Sequence, residues 1–207
     1  MSVSGVEAAA LARNDRFLVE AVEGWSLCPF ARATRLSGQL SREVLLGAPD
    51  AAQIAARVAS YDETSAQIVL LIFPELAVDV HPFERLVEDA RRIDARPPLY
   101  AMAPFHPATA YHDDTPSRLV GLFRRSPDPT IQLVRFSALE AAKRRAPDGK
   151  FFFDGSPQAW QSILARPERG LSEQITHDNF ERVRARSADL ARLLERIRLA
   201  AETGEDA

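Results

Sequence analysis

Apolar residues recur along this chain with two periods, and each period predicts an element. Near the N-terminus Leu11, Leu18, Val22 and Trp25 fall at helical spacing, and Phe17 and Ala21 widen the stripe. Ser4-Gly5-Val6-Glu7 reads as a capping box, a hydroxyl three residues ahead of a carboxylate. The helix ends near Ser26, because the ring of Pro29 disfavours helical geometry at Cys28. Residues 42–46 are a short strand candidate, and Pro49-Asp50 opens a helix over 50–60 with Ile54 and Val58 on one face. Gln67 to Phe73 is a continuous apolar run, the pattern of a strand covered by helices on both faces, and Pro74 ends it.

The second half continues the alternation. His81 to Ile93 reads as a helix with Phe83, Leu86, Val87 and Ala90 inward, and Pro97-Pro98 closes it. Leu99 to Pro104 is a second apolar strand. Thr115-Pro116 is an N-cap followed by proline at the first helical position, starting a helix through Phe123. Ser126-Pro127-Asp128-Pro129 is a rigid turn, since each proline fixes its own φ and removes a donor. Ile131 to Phe136 is a strand, and Ser137 to Glu140 is a capping box opening a helix to Arg145. Phe151 to Phe153, between two Asp-Gly turns, reads as a short edge strand, with a helix at 157–165 after it. The last helix starts near Thr176, where Phe180, Val183, Leu190, Leu194 and Ile197 recur at three–four spacing.

Alternating strands and helices predict one α/β domain, a central sheet of about four strands flanked by helices with a long C-terminal helix. Residues 1–170 form the core. Residues 171–207 supply the last helix and a short acidic tail, packed on the core or on a second copy. Strands 67–73 and 99–104 are expected side by side, parallel and central, joined by one right-handed crossover.

Composition changes this picture little. Over 207 residues, 46% are apolar and 27% charged, with a net charge of −3. That balance gives no clustered positive field for nucleic acid, and no run reaches the roughly 20 apolar residues of a membrane span. Cys28 is the only cysteine, so no intrachain disulfide forms. With no basic, apolar leader at the N-terminus, the expected location is cytoplasmic.

Three short motifs stand in order on this pattern: Leu27-Cys28-Pro29-Phe30-Ala31, Phe105-His106-Pro107 and Arg125-Ser126-Pro127-Asp128-Pro129 before a strand, with the weaker Phe73-Pro74 between the first two. In these, over roughly residues 14 to 190, the chain resembles the bacterial proteins grouped as domain-of-unknown-function family 1415. The resemblance implies no activity. The chain departs from the family pattern at Ala108-Thr109-Ala110, where relatives carry a longer polar and aromatic stretch. It departs again at Arg124, where they tend to carry Asn.

The candidate chemistry lies in the same segments. His106 follows a strand, and in open α/β sheets ligands gather outside the carboxyl ends of strands. Glu75 follows the other apolar strand, so the two are a candidate acid–base pair, the carboxylate fixing the imidazole tautomer. The plainer reading is a loop histidine that orders its own turn. Cys28 is a candidate nucleophile or ligand, but the negative end of the preceding helix raises a thiol pKa, and an inert buried thiol fits as well. Arg124, Arg125 and Ser126 offer a fork and a hydroxyl for a small anion, or else satisfy the last helical carbonyls. Phe30 and Phe105 are candidate pocket walls. His106, His112, Asp113 and Asp114 mix metal-ligand types without a fixed helical pair, so no metal is assigned, and the cofactor is unknown. Nucleotide, hydrolase and dithiol signatures (Gly-x-Gly-x-x-Gly, Walker, Gly-x-Ser-x-Gly, Cys-x-x-Cys) are absent from the sequence.

Three functions follow. One is a small-molecule enzyme or ligand-binding protein with its pocket between the three motifs; it requires strand 131–136 to run antiparallel to strand 99–104, so that Arg125 and His106 meet. The second is a non-catalytic interaction module whose motifs are structural turns. The third is a metal or haem binder through His106 and Cys28. Expected partners are a small anionic ligand and a second copy through the C-terminal helix, with neither nucleic acid nor membrane.

Overall fold

Asp50 opens the third helix with its carboxylate on the Gln53 N–H while the Gln53 side chain accepts from the Asp50 N–H, a reciprocal cap that stabilises by about 1 kcal/mol. Such local signals recur along the chain. The computed structural model describes residues 3–62, 64–93, 99–145 and 171–200. In order these are α1 (Val3–Arg16), a π-helical continuation (Phe17–Glu23), α2 (Ala31–Leu36), β1 (Leu40–Val44), α3 (Ala51–Ala59), β2 (Ile68–Ile72), α4 (Val80–Ile93), β3 (Tyr100–Phe105), α5 (Pro116–Phe123), β4 (Thr130–Arg135), α6 (Phe136–Arg145), α7 (Leu171–Val183), a 3-10 turn (Arg184–Arg186) and α8 (Ser187–Leu199). The edge strand read at 151–153, the helix at 157–165 and the acidic tail lie outside the described residues. The capping box at Ser4 rests on a side chain that also lies outside them.

The four strands form one mixed sheet in the order β1-β2-β4-β3. β1 runs parallel to β2, and β4 is antiparallel to both its neighbours. The expectation of β2 and β3 as adjacent central strands is therefore corrected. They point the same way, but β4 lies between them and β3 is at the edge. β2 is buried along most of its length, whereas β3 is half-buried beyond Tyr100, and an apolar run says nothing about which neighbour fills the gap.

Alternate residues feed two apolar layers. Val69, Leu71, Ile131, Leu133 and Tyr100 pack with α3 and α4 through Ile54, Phe83, Val87 and Ala90. On the other face Leu70 and Ile72 meet α1, its π-helical end, α5, α7 and α8, through Ala10, Phe17, Leu119, Leu122, Val183, Leu190 and Ile197. The C-terminal stripe is thus buried against its own chain. Among the described residues no helix is long and apolar enough to cross a membrane.

Several elements differ from the sequence reading, and the last helix starts at Leu171 and is broken by the 3-10 turn before α8. β1 lies at 40–44 rather than 42–46, and α2 was not expected. It closes on a Schellman motif, with the Gly38 N–H on the Arg35 carbonyl, the Gln39 N–H on that of Thr34, and Gly38 at φ +71°. Thr115 stands at the N-cap of α5, but its hydroxyl faces Ser117 and caps no backbone N–H. Helix α6 starts at Phe136, so Ser137 lies inside it and is not its cap.

Candidate functional site

One end of the sheet gathers the Phe-His-Pro and Arg-Ser-Pro motifs. β4 starts where β3 finishes, with Phe105 opposite Thr130, and the Phe73 N–H reaches the Pro129 carbonyl. The antiparallel pairing that Arg125 and His106 need in order to meet is present. The His106 N–H donates to the Arg124 carbonyl at 2.9 Å, and Arg125 Nε donates to the Thr109 carbonyl at 2.8 Å. Between these contacts the Ala110 carbonyl presses on Gly121 of α5, 1.9 Å from where a Cβ would stand.

His106 is 7% exposed and both ring nitrogens are engaged by main chain. The Ala108 N–H donates to Nδ1 at 3.1 Å, so the ring proton is assigned to Nε2, which donates to the Val78 carbonyl at 2.9 Å. Its ring lies against Phe83, 5.8 Å between centroids, and its own carbonyl accepts from the Thr109 hydroxyl. The imidazole is a strut between the end of β3 and the loop after β2, two strands away.

The other candidates are engaged in similar ways. Glu75 accepts from the Gly47 N–H at 2.8 Å, and the premise that would have paired it with His106, neighbouring parallel strands, does not hold. Ser126 donates to the Asp128 carbonyl at 2.5 Å, and Thr130 to the same oxygen at 2.9 Å. The Arg125 guanidinium lies over the Tyr111 ring at 4.9 Å, so it braces the 108–111 loop rather than the last carbonyls of α5. Arg124 forms the C-cap of α5 and gives its carbonyl to His106. Phe105 ends β3, and Phe30 is the half-buried N-cap residue of α2.

Cys28 is half-buried, and desolvation pushes its thiol up from the ordinary cysteine range. The cause differs from the one expected. Cys28 lies just ahead of α2, where the N–H groups of Phe30 and Ala31 pull the thiol down, and desolvation outweighs them. The turn itself is held from α7, with Asn179 Nδ2 on the Leu27 carbonyl at 2.9 Å and Arg182 on that of Ser26 at 2.8 Å.

The mixed His and Asp group at 106–114 is engaged elsewhere. Asp113 accepts from Ser187 at 2.8 Å and Asp114 pairs with Arg118. Among the described residues no group of three His, Cys, Asp or Glu could hold a metal ion.

Two features escaped sequence reasoning. Arg13 of α1 makes a two-pronged ion pair with Asp128, at 2.7 and 3.0 Å, with both side chains largely buried. At the opposite end of the sheet Arg135, also buried, donates to the carbonyls of Asp62 and Ser65 and to the Tyr100 hydroxyl. Asp128 inside a proline-flanked turn was a readable signal for a buried acceptor; its partner, 115 residues away, was not.

No match to the chain was found among curated proteins or among solved structures. A family model does match, over residues 9–154, a span that contains the three motifs and stops short of the C-terminal helices. That model is described as a protein of unknown function, DUF1415, and the chain belongs to this family.

Proposed function

We propose that this chain is a non-catalytic interaction module, and that its Cys-Pro-Phe, Phe-His-Pro and Arg-Ser-Pro segments are turns that set the fold. One observation carries the reading: both nitrogens of His106 are engaged by main-chain groups of its own chain. A general base needs one nitrogen within reach of a substrate proton, and this ring offers neither without giving up a buried hydrogen bond. Arg125, Ser126 and Glu75 make contacts of the same kind, which supports the reading further.

Native mass spectrometry of the purified protein, alone and after incubation with a mixed metabolite extract, tests the proposal. The expected spectrum is protein without a stoichiometric small molecule, metal or haem. A retained ligand that is lost in a folded Arg125→Ala or His106→Asn variant overturns it in favour of a binding or catalytic pocket.

A further inference from the structure

The two edges of the sheet differ. At β3, Pro104 has no N–H to offer and Arg91 of α4 occupies the Met102 carbonyl, so the edge is blocked against another strand. At β1 no such device is present among the described residues. The Ile68 N–H binds the Gln39 carbonyl and the Leu45 N–H binds the Ile72 carbonyl. In a parallel ladder of that register the main-chain groups of Ser41 and Glu43 point to β2. The N–H and C=O groups of Leu40, Arg42 and Val44 therefore point outward.

From this we infer that β1 is the docking edge for a second copy of this chain, paired antiparallel about a two-fold axis at Arg42. The register is self-complementary. Leu40 of each copy faces Val44 of the other, and Arg42 faces Arg42, so three N–H and three C=O groups per strand all find partners. Charges that commonly guard an edge do not guard this one. Arg42 is held by Asp15 and Glu43 by Arg57 and Tyr61, so the pairing brings two neutralised Arg–Asp pairs together rather than two bare cations.

The surface beside the edge fits the same occupant. Asp15, Val19 and Glu23 are spaced by four along one side of the α1 helix and its π-helical end. Their outer two are tied to Arg42 of β1 and Arg35 of α2. Val19, 47% exposed, lies between those ties, and Leu36, 67% exposed, follows Arg35. Two large exposed apolar side chains thus stand on the helical segments tied to β1 and to each other, a surface of the kind a strand-pairing interface uses as an apolar margin. This inference stands whether or not the motifs bind a ligand.

Cross-linking and mass determination test it. In an antiparallel hydrogen-bonded pair the Cα atoms are about 5.5 Å apart, inside the ~4.4–6.8 Å that a disulfide bridges. Arg42→Cys in a Cys28→Ala background should therefore cross-link to a covalent dimer under mild oxidation, while Ser41→Cys, which faces Glu43 across the axis, should not. Light scattering on the unaltered chain should give twice 22.9 kDa. The Val19→Glu, Leu36→Glu double variant, altered only at exposed positions, should retain its circular dichroism and dissociate at least ten-fold more readily. A single-chain mass at tens of micromolar, a dimer indifferent to the double variant, or equal cross-linking at 41 and 42 overturns the inference.

Discussion

Ser26 holds a left-handed backbone, φ +52°, at a place where glycine is the usual occupant. The Leu27 N–H bonds to the Val22 carbonyl and the Ser26 N–H to that of Glu23, a Schellman ending in which Ser26 supplies the left-handed residue. Such a conformation costs a non-glycine residue roughly 1–2 kcal/mol, and Arg182 on the Ser26 carbonyl helps hold it. This turn delivers Cys28 to its desolvated position. Because the folded pKa lies above the unfolded one, the folded state keeps the thiol proton more firmly. The stabilisation is fully present below the ordinary thiol range, near pH 8.5, and is lost as pH rises toward the folded value. Denaturant midpoints should therefore fall as pH rises past about 8.5, and Cys28→Ala should remove that part of the fall. The same burial predicts slow reaction with a thiol reagent at neutral pH, at least ten-fold below a free cysteine. Rapid stoichiometric labelling of the folded chain would show instead that the thiol is accessible and ionised.

Helix α5 and the loop after β3 meet because their backbones come unusually close. The Ala110 carbonyl approaches Gly121 so nearly that a methyl group there overlaps main chain, which cannot shift the way a flexible side-chain tip does. Gly121→Ala is expected to destabilise by about 3 kcal/mol or more, although alanine is the better helix former by roughly 1 kcal/mol. The check is a chemical unfolding curve, and a neutral or stabilised variant would mean that loop 108–112 does not pack on α5. Legibility at this scale followed locality. The helical stripe of α4, the apolar run of β2 and the proline start of α5 were readable because each is written in neighbouring residues. The placement of β4 between β2 and β3 was not, since strand order depends on long-range pairing that no local period encodes. Helix α2 is hard to see in the sequence because Pro29 marks the end of the preceding helix, although Gly38 gives a C-terminal signal seven residues after Ala31. The end of β3 meets the Arg124–Arg125 segment, but whether an imidazole faces a cleft or a carbonyl depends on the loop opposite it. Val78 lies 28 residues away.

Across the molecule, one interaction ties the first helix to the turn that starts β4. Arg13 and Asp128 are side chains of 14% and 11% exposure joined by two hydrogen bonds, with 115 residues of chain between them. Both charges are largely withdrawn from water, so the pair need not stabilise much relative to an apolar pair. Removing one partner, however, leaves the other buried without compensation, at a cost of about 3–5 kcal/mol. The Asp128 main chain adds to that sensitivity, because its carbonyl holds both Ser126 and Thr130 and so fixes the register at which β4 leaves the turn. A double-mutant cycle separates these contributions. Arg13→Met and Asp128→Asn should each destabilise by about 3 kcal/mol, while the double variant should lose clearly less than the sum, with a coupling of about 2 kcal/mol. Equilibrium unfolding in urea supplies all four free energies. Additive losses would mean that the ion pair is incidental, and that β4 is aligned by the proline-flanked main chain and its two hydroxyl bonds alone.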